Sequence, residues 1–395
     1  MTQSKPHPEK ERILLVDDNP TNLQVLFQTL SSLGHDLLVA RDGVSAIRVA
    51  QESQPSLILL DIMMPPGIDG FETCRQLKEN PATRDIAVIF LSALDDTDDK
   101  VRGLTTGAVD YVSKPFKADE VIARVRTHLT IVQLQRKLDH QNAQLLHANN
   151  RMQQDLIAAE QIQRALLPAE TLAFGPVQIQ WMYQPCDRLA GDALNIFQID
   201  EHNVGVYVLD VVGHGVSASL LSVAVMHALS PTSSIGSMNL LDPVEVAATL
   251  NTRFPMLSGS NQFFTLFYGV INTQQRSITY TLAAHPPPMH VDAAGQAQVW
   301  EGSGLPIGVV KEPMYNAWTK TLSPGTRLFI FSDGLPELRA PDGTLFGDDN
   351  LKALIQNCAG IHLTGTLDRI SEHIIAWNHQ GKSDDISVIA IEINQ

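Results

Sequence analysis

The 395-residue chain is poor in cysteine and in basic residues. Its three cysteines, Cys74, Cys186 and Cys358, lie far apart and show no paired spacing, which excludes a disulfide framework or a zinc knuckle and favours a reducing compartment. Lys and Arg number 28 against 43 Asp and Glu, giving a formal net charge of −15. This balance argues against nucleic-acid binding as the main function, and an acidic chain is suited to binding divalent cations.

Long hydrophobic runs are also missing. The N-terminal stretch MTQSKPHPEKER is polar and lacks the apolar segment of a signal peptide, so a cytoplasmic location is expected. The most apolar window, residues 204–229, has a membrane span as its alternative interpretation. Asp210 and His214 near its middle make that interpretation costly, whereas a strand, a turn and a buried helix explain the window. We therefore expect no membrane association.

The length of the chain predicts two or three domains, and 44% hydrophobic residues are enough for buried cores. Neither an internal repeat nor a low-complexity tract is present. Changes of pattern along the chain divide it into a disordered tail, a first domain, a helical linker and a second domain, with bounds 1–10, 11–128, 129–168 and 169–395.

The first domain alternates short apolar runs with amphipathic helical stretches. Strands of a parallel sheet that is covered by helices are apolar on both faces. Five such strands in this length predict a doubly wound α/β domain with its site at the carboxyl ends of the strands. The expected strands span residues 12–17, 37–40, 56–61, 86–92 and 108–113.

The linker, residues 129–168, contains neither glycine nor proline before Pro168. Residues at intervals of seven form an apolar seam that polar residues interrupt, which predicts a two-stranded coiled coil and a homodimer. One long helix packed on a neighbouring domain is the alternative. The seam consists of Ile131, Leu138, Leu145, Met152, Ala159 and Leu166, with partner positions Leu134, Gln141, Ala148, Asp155 and Ile162.

The second domain is rich in strands, and its pattern predicts an α/β sandwich. Runs such as VGVYVLDVV and RLFIFSD are typical of buried strands. Amphipathic patterns predict helices over residues 215–229, 242–257, 348–358 and 364–379.

Acidic residues collect at strand ends in the first domain. Asp17, Asp18 and Asp61 follow or end the first and third strands, and in a doubly wound sheet these ends meet in one crevice. Three carboxylates there favour a bound Mg²⁺, and Asp61 is then a candidate nucleophile that becomes an aspartyl-phosphate. Ser92 and Lys114 at neighbouring strand ends can hold phosphate oxygens. Taken singly, Asp18 is also explained as a helix cap and Lys114 as part of a turn.

The second domain repeats this arrangement. Asp192, Asp210, Asp333 and either Asp384 or Asp385 lie at strand ends beside glycine or another small residue. An all-oxygen set of this kind suits Mg²⁺ or Mn²⁺, and two such ions can activate a water and position a phosphoryl group for in-line attack. His214 is a candidate general acid. Turn formation alone is the alternative for any single Asp–Gly pair.

Residues 10–130 resemble a two-component receiver domain through the motifs VDDN, LLDIMMP…DG, FLSA and DYVSKPF. The resemblance implies that Asp61 accepts phosphate from a histidine kinase and that Asp17, Asp18 and Asp61 hold Mg²⁺. It also implies that Ser92 and Tyr111 act as the switch pair and that Lys114 contacts the phosphate. The loop MMPPGIDG is one residue longer than is usual in the family.

Residues 159–395 resemble metal-dependent phosphatases of the protein phosphatase 2C type, and more narrowly the stage II sporulation protein E subgroup. The motifs are AEQIQRALLP, AGD, LDVVGHGVSASL, FFTLFYG, AAHPPP, FSDGLPEL and SDDISVIAI. The resemblance implies that two Mn²⁺ or Mg²⁺ are held by Asp192, Asp210, the Val211 carbonyl, Asp333 and Asp384.

The chain departs from the subgroup pattern at AGDALNIF. Where the subgroup has a glycine, an aromatic pair and a final aspartate, this chain has Ala190, Ala193-Leu194 and Asn195, which predicts a reduced activity or an altered substrate rim.

The motifs together predict a response regulator whose output is dephosphorylation of phosphoserine or phosphothreonine. The resemblance implies a phosphorylated anti-sigma-factor antagonist as the partner. A non-catalytic adaptor that binds a sigma factor is the alternative, which AGDALN favours and the retained acids disfavour. A DNA-binding regulator is a distant third possibility, because the sequence contains no convincing helix-turn-helix.

Overall fold

The computed structural model describes residues 10–93, 105–231, 238–256, 262–377 and 384–394. The expected disordered tail falls, apart from Lys10, outside the described residues. The chain divides into two compact units between Asn149 and Asn150.

The first unit contains one parallel five-stranded sheet in the order β2-β1-β3-β4-β5, which confirms the predicted doubly wound fold. Its strands are β1 Arg12–Val16, β2 Asp36–Ala40, β3 Leu57–Asp61, β4 Ala87–Ala93 and β5 Asp110–Lys114. Its first helices are α1 Pro20–Ser31, α2 Gly43–Ser53 and α3 Gly70–Glu79.

Both faces of this sheet are buried, as the continuous apolar runs require. Alternate residues of one strand enter separate cores; in β1, Leu14 belongs to one and Leu15 to the other. Asn19 caps α1 by accepting a hydrogen bond from the backbone N–H of Thr21. The chain therefore leaves β1 in a tight turn, which holds the acidic pair that follows β1 at the sheet edge.

A single helix, α4, runs from Ala118 to Ala165. It begins earlier than the predicted linker of residues 129–168 because Val121, Val125 and Leu129 are buried in a core of the first unit. The first turns of α4 therefore face the core of the first unit, and the heptad segment follows them. This start was not predicted because the residues after the motif DYVSKPF were assigned to the first domain. Beyond residue 130 most of the apolar seam is exposed to solvent.

The second unit contains two antiparallel sheets, in the orders β14-β11-β10-β9-β8 and β13-β12-β15-β16-β7-β6. Their strands are β6 Thr171–Phe174, β7 Val177–Gln184, β8 Ala193–Gln198, β9 Asn203–Val211, β10 Phe264–Asn272, β11 Ser277–Ala283, β12 Met289–Val291, β13 Ala297–Val299, β14 Trp318–Thr321, β15 Arg327–Phe331 and β16 Ile386–Ile393. The helices are α5 Val216–Ala228, α6 Pro243–Arg253, α7 Gly347–Gln356 and α8 Leu363–Trp377.

The two sheets pack face to face around a core that includes Val206, Phe267 and Ile389. Helices α5 and α6 cover the outer face of the first sheet, and α7 and α8 cover that of the second, which confirms the predicted α/β sandwich. Each predicted helix is present, although the predicted ends at residues 257 and 379 lie outside the described residues. Strand β8 confirms the strand expected after Asp192, whereas β6, β12, β13 and β14 were not predicted because they are short or lack a continuous apolar run.

In the described part of the chain, every helix is either too short or too polar to cross a membrane.

Candidate functional site

Three acidic side chains meet at the carboxyl edge of the parallel sheet. Val16 of β1 pairs with Leu60 of β3. Asp17 and Asp61 are the next residues after this pair, so they lie side by side at the ends of neighbouring strands. Carboxylate oxygens of Asp17, Asp18 and Asp61 lie within 4.8 Å of one another. The predicted acids are thus brought together at a spacing that one hard cation can bridge.

Lys114 lies between two of these acids. Its Nζ is 2.8 Å from Asp17 Oδ2 and 2.8 Å from Asp61 Oδ2, and its peptide bond to Pro115 is cis. Burial raises the pKa of Asp61, although Lys114 partly offsets this effect. Hydrogen bonds to both acids outweigh the burial of the ammonium group, so the pKa of Lys114 is raised. Asp61 is therefore buried beside one cationic side chain that can also contact a phosphoryl group.

The expected switch residues occupy adjacent strands. Tyr111 of β5 lies beside Phe90 of β4, and Ser92 is two residues further along β4. Ser92 Oγ is buried and has no hydrogen-bond partner among the described residues. The guanidinium of Arg124, on α4, lies 5.4 Å from the centre of the Tyr111 ring, so a switch residue contacts the long helix directly.

In the second unit, Asp210 lies near the end of β9, where Val211 ends the strand. Gly213 (φ 96°) and Gly215 (φ 83°) then turn the chain into α5 with backbone angles that favour glycine. A side-chain carbon at Gly191 would lie 2.8 Å from the Val211 carbonyl oxygen and 2.9 Å from that of Gly213. The glycine before Asp192 therefore allows two backbone carbonyls to approach the loop that carries this acid.

Asp192 is buried, and Ser387 Oγ donates a 2.6 Å hydrogen bond to its Oδ2. Gln163, near the end of α4, binds both backbone groups of Ala190, two residues before Asp192. Its Nε2 donates to the Ala190 carbonyl oxygen at 2.8 Å, and its Oε1 accepts from the Ala190 N–H at 3.2 Å. Gln163 was not among the site residues predicted from the sequence, although it lies in the motif AEQIQRALLP.

The remaining acids come from the second sheet. Asp333 follows β15, and Asp384 and Asp385 precede β16, which pairs with β15 in antiparallel register. A side-chain carbon at Gly334 would lie 2.0 Å from the Asp385 carbonyl oxygen, so only glycine permits this approach of the two segments. The pairing of the two strands brings the acids of both loops to one end of the sandwich.

Burial and mutual repulsion disfavour the charged forms of these acids. Burial, followed by the charges of Asp333 and Asp384, raises the pKa of Asp210 to about 7. Burial and Asp384 raise the pKa of Asp333 to about 6. The pKa values of Asp192 and Asp384 are also raised, with burial as the largest cause. A divalent cation relieves this repulsion, because it stabilises the charged carboxylates.

The donor set fits divalent cations. Buried carboxylates and converging carbonyls are oxygen donors of the kind that Mg²⁺ and Mn²⁺ prefer. Asp192, Asp210, Asp333 and Asp384 do not form one cluster within 4.8 Å in the described part of the chain.

Asp384 and Asp385, which the sequence left as alternatives, have different surroundings. Asp385 is buried, and its Oδ1 accepts from Cys186 N at 2.7 Å. Its Oδ2 accepts from Gly191 N at 2.7 Å and from Asp192 N at 3.3 Å. Asp384 is exposed. Asp384 Oδ1 accepts a hydrogen bond from the backbone N–H of Asp385 at 2.8 Å, and its carboxylate faces solvent, whereas Asp385 holds the loop before β8.

His214 and Asn195 bear on how the site works. His214 is exposed, and its charge lowers the pKa of Asp384, so it lies at the solvent side of the acids. Asn195 lies opposite Tyr207 in the β8–β9 pairing, and Tyr207 packs on the face covered by α5 and α6. Asn195 Oδ1 accepts a 2.8 Å hydrogen bond from the backbone N–H of Ile196. The departure at Asn195 thus falls within a strand.

Comparisons with known protein families match both parts of the chain. The model of the response regulator receiver domain matches residues 13–126. The model of stage II sporulation protein E (SpoIIE) matches residues 200–394. The receiver match includes Asp17, Asp18 and Asp61, and the SpoIIE match includes Asp210, Asp333 and Asp384, whereas Asp192 lies before its first residue.

Individual relatives cover only parts of the chain. The response regulator PleD of Caulobacter vibrioides is 43% identical over 116 residues, 29% of this chain and 25% of PleD. The DNA-binding dual master transcriptional regulator RpaA of Synechocystis is 42% identical over 118 residues, 30% of this chain and 48% of RpaA. This chain thus spans between a quarter and about half of these two relatives.

A solved structure supports the fold of the second unit. The SiaA-PP2C domain of Pseudomonas aeruginosa matches 62% of this chain and 99% of its own length, with a TM-score of 0.55 and 20% identity. At this identity the likeness concerns the fold alone.

Proposed function

This chain joins a response regulator receiver domain to a SpoIIE domain of the protein phosphatase 2C type, and from this we propose a phosphorylation-controlled protein phosphatase. Its output is the metal-dependent dephosphorylation of phosphoserine or phosphothreonine on a partner protein. The controlling event is phosphorylation of Asp61.

The observation that carries the proposal is the group of acids at the end of the sandwich. Asp192, Asp210, Asp333 and Asp384 come from separate segments at strand ends, and burial and mutual repulsion raise their pKa values. Such an arrangement costs stability unless it binds cations, so its presence favours a functional site. When bound, two Mn²⁺ or Mg²⁺ supply charge neutralisation and an activated water.

The chain's own residues have distinct roles in this proposal. The four acids and the Val211 carbonyl hold the ions, and Ser387 fixes the orientation of the Asp192 carboxylate. The exposed His214 donates a proton to the seryl oxygen that leaves phosphorus, so the released side chain is a neutral hydroxyl. Asp385 acts as a positioning residue because three backbone N–H groups occupy its oxygens.

In the receiver domain, an Asp61 carboxylate oxygen attacks the phosphorus of a phosphohistidine on a histidine kinase. The P–O bond to Asp61 forms as the P–N bond breaks, and the imidazole leaves. Asp17, Asp18 and Asp61 hold one Mg²⁺ in this proposal, and Lys114 contacts the transferred phosphoryl group. Ser92 and Tyr111 then respond to the new charge as the switch pair.

Helix α4 offers a route from the receiver to the phosphatase. Its first turns contribute Val121 and Val125 to a receiver core, and Arg124 contacts Tyr111. Near its other end, Gln163 holds the backbone of Ala190, two residues before Asp192. A change in α4 that weakens or strengthens the Gln163 contact changes the position of a metal ligand.

The exposed seam of α4 supports homodimerisation. Leu138 and Leu145 are 51% and 68% exposed, although both occupy apolar heptad positions. A second copy of this helix buries such side chains in a two-stranded coiled coil. We therefore propose a homodimer formed through residues 129–168.

The proposed substrate is a small phosphorylated partner of the anti-sigma-factor antagonist class, which is suggested by the SpoIIE match over residues 200–394. Phosphate release from phosphoserine substrates by the purified chain, with and without Mn²⁺, tests the activity. Release that depends on Mn²⁺ and is lost in Asp210→Ala supports the proposal, and the exposed Asp349→Ala is the matched control.

Two results contradict this proposal. Absence of metal-dependent release from every phosphoserine substrate favours the adaptor alternative, as does calorimetry that detects no Mn²⁺ binding at these acids. Equal release by wild type and Asp210→Ala assigns the activity to another site.

A further inference from the structure

Asp192 differs from Asp210 in how its backbone is held. Asp210 lies within β9, where the antiparallel pairing places it opposite Thr265 of β10. The pairing of β8 with β9 begins at Ala193, so Asp192 lies just outside that pairing. The position of Asp192 therefore depends on contacts from other parts of the fold.

These contacts come from the second sheet. The hydroxyl of Tyr183, on β7, donates a hydrogen bond to the Asp192 carbonyl oxygen at 3.2 Å. Ser387 Oγ, on β16, donates to Asp192 Oδ2 at 2.6 Å, and Asp385 Oδ2, just before β16, accepts from Asp192 N at 3.3 Å. The carbonyl, the carboxylate and the N–H of one residue are thus each held by a separate side chain on or next to β7 and β16.

Tyr183 and Ser387 reach Asp192 together because of the strand register. They lie directly opposite each other in the antiparallel pairing of β7 with β16. Opposite residues project from the same face of a sheet, with Cβ atoms about 4.5–5.5 Å apart. The two hydroxyls therefore approach Asp192 side by side, one at its backbone and one at its carboxylate.

We propose that Tyr183 is a positioning residue for the metal ligand Asp192. Its hydroxyl fixes the Asp192 backbone, so that the carboxylate has its metal-binding position before an ion is bound. This inference rests on the proposed function in one respect, since it takes Asp192 to be a metal ligand. Tyr183 acts through Asp192 and contacts neither the ions nor the substrate.

Without an ion, like charges oppose this position of the carboxylate. The carboxylates of Asp210 and Asp385 repel that of Asp192, and a shift of the Asp192 backbone relieves the repulsion. An ion that binds must then reverse the shift, and the free energy of this rearrangement weakens its binding. The Tyr183 hydrogen bond opposes the shift, so its loss is expected to lower the affinity for Mn²⁺ rather than the rate at the fully loaded site.

Tyr183→Phe tests the inference, because it removes one hydroxyl and keeps the ring. Tyr268→Phe is the matched control, since the Tyr268 hydroxyl also donates to a backbone carbonyl oxygen, that of Leu240 at 2.8 Å. Calorimetric titration of the full chain with Mn²⁺ is expected to show binding weakened about 2- to 10-fold in Tyr183→Phe and unchanged in Tyr268→Phe. Thermal unfolding in EDTA measures the stability that each variant loses and confirms that both are folded.

Phosphate release at increasing Mn²⁺ concentrations separates affinity from rate. In Tyr183→Phe the Mn²⁺ concentration for half-maximal release is expected to rise by the same factor, while the rate at saturating Mn²⁺ stays near that of the wild type. Wild-type affinity for Mn²⁺ in Tyr183→Phe overturns the inference. An equal loss of affinity in Tyr268→Phe also overturns it, because the effect then follows from a general loss of stability.

The outcomes distinguish this inference from the proposed function. Mn²⁺-dependent release without an effect of Tyr183→Phe on Mn²⁺ binding overturns this inference alone. Mn²⁺ binding that Tyr183→Phe weakens, without release from any phosphoserine substrate, overturns the proposed phosphatase alone. Absence of Mn²⁺ binding in the wild type overturns both.

Discussion

Asp384 and Asp385 illustrate at the residue scale how neighbouring acids acquire different roles. Asp385 is buried and accepts three backbone hydrogen bonds, from Cys186, Gly191 and Asp192. Asp384 is exposed as a residue, and partial desolvation of its carboxylate, together with the charges of Asp385 and Glu337, raises its pKa. The first carboxylate stabilises a loop, and the second is available to a cation.

Substitution by asparagine is expected to separate these roles. Asp385→Asn leaves at least one backbone N–H without its charged acceptor, so stability falls by about 1–3 kcal/mol. Asp384→Asn removes a repelled charge, so stability without metal is unchanged or higher while Mn²⁺ binding weakens. Thermal unfolding in EDTA and calorimetric titration with Mn²⁺ measure the two effects. Equal loss of stability in both variants contradicts the assignment.

The raised pKa of Asp210 predicts how stability depends on pH. The folded-state pKa is about 7, against about 3.9 in an unfolded chain. The folded protein therefore binds more protons between these values, and its unfolding free energy falls as pH rises through that range. Asp210→Asn removes this effect, because asparagine resembles the protonated acid.

In EDTA, Asp210→Asn is therefore expected to gain stability over the wild type as pH rises from 4 to 8. One pKa unit corresponds to about 1.4 kcal/mol, so the gain is bounded at about 4 kcal/mol. Saturating Mn²⁺ stabilises the ionised wild type and reverses the order. A wild type that becomes more stable relative to Asp210→Asn as pH rises in EDTA contradicts the electrostatic account.

At the scale of elements, helix α4 combines two surfaces. Its first part buries Val121, Val125 and Leu129 in the receiver domain, and Arg136 pairs with Glu11 at 3.0 Å. Beyond this point the apolar heptad positions are exposed, as Leu145 illustrates at 68%. The proposed coiled coil gives this second surface a partner.

Two adjacent leucines provide a matched test of the coiled coil. Leu145 occupies the heptad seam, and Leu146, 64% exposed, lies off it. Leu145→Asp places a charge in the dimer seam and is expected to shift the chain to monomer, whereas Leu146→Asp leaves the dimer intact. Analytical ultracentrifugation measures both variants. Dimers that tolerate Leu145→Asp, or a wild type that is monomeric, contradict the proposed interface.

The sequence predicted the elements and the acids where a local pattern determined them. Strand ends located Asp61 and Asp210, because apolar runs mark strands and an acid at the end of a strand lies at the sheet edge. Strands β12 and β13 escaped prediction because each has only three residues. The start of α4 escaped because heptad spacing begins only after its core-facing turns.

Contacts between distant segments were not predictable from the sequence. Gln163 meets Ala190, and Cys186 meets Asp384, only after the sandwich has formed. No spacing rule relates such pairs, since their separation is set by the pairing of β7 with β16 and by the end of α4. The geometry of these pairs therefore depends on the folded structure.

At the scale of the whole molecule, the chain contains an acidic site in each unit and one helix with contacts in both. Asp61 in the receiver site is beside Lys114, and Arg124 of α4 contacts Tyr111. Gln163 of the same helix holds the loop that carries Asp192. The central claim is that phosphorylation of Asp61 alters the rate at which the second site releases phosphate.

The rate of Mn²⁺-dependent phosphate release, measured with and without beryllofluoride as a mimic of the Asp61 phosphate, tests this claim most directly. The account predicts that beryllofluoride changes the rate in the wild type and has no effect in Asp61→Asn. A rate that beryllofluoride leaves unchanged in the wild type, or alters equally in Asp61→Asn, would contradict it.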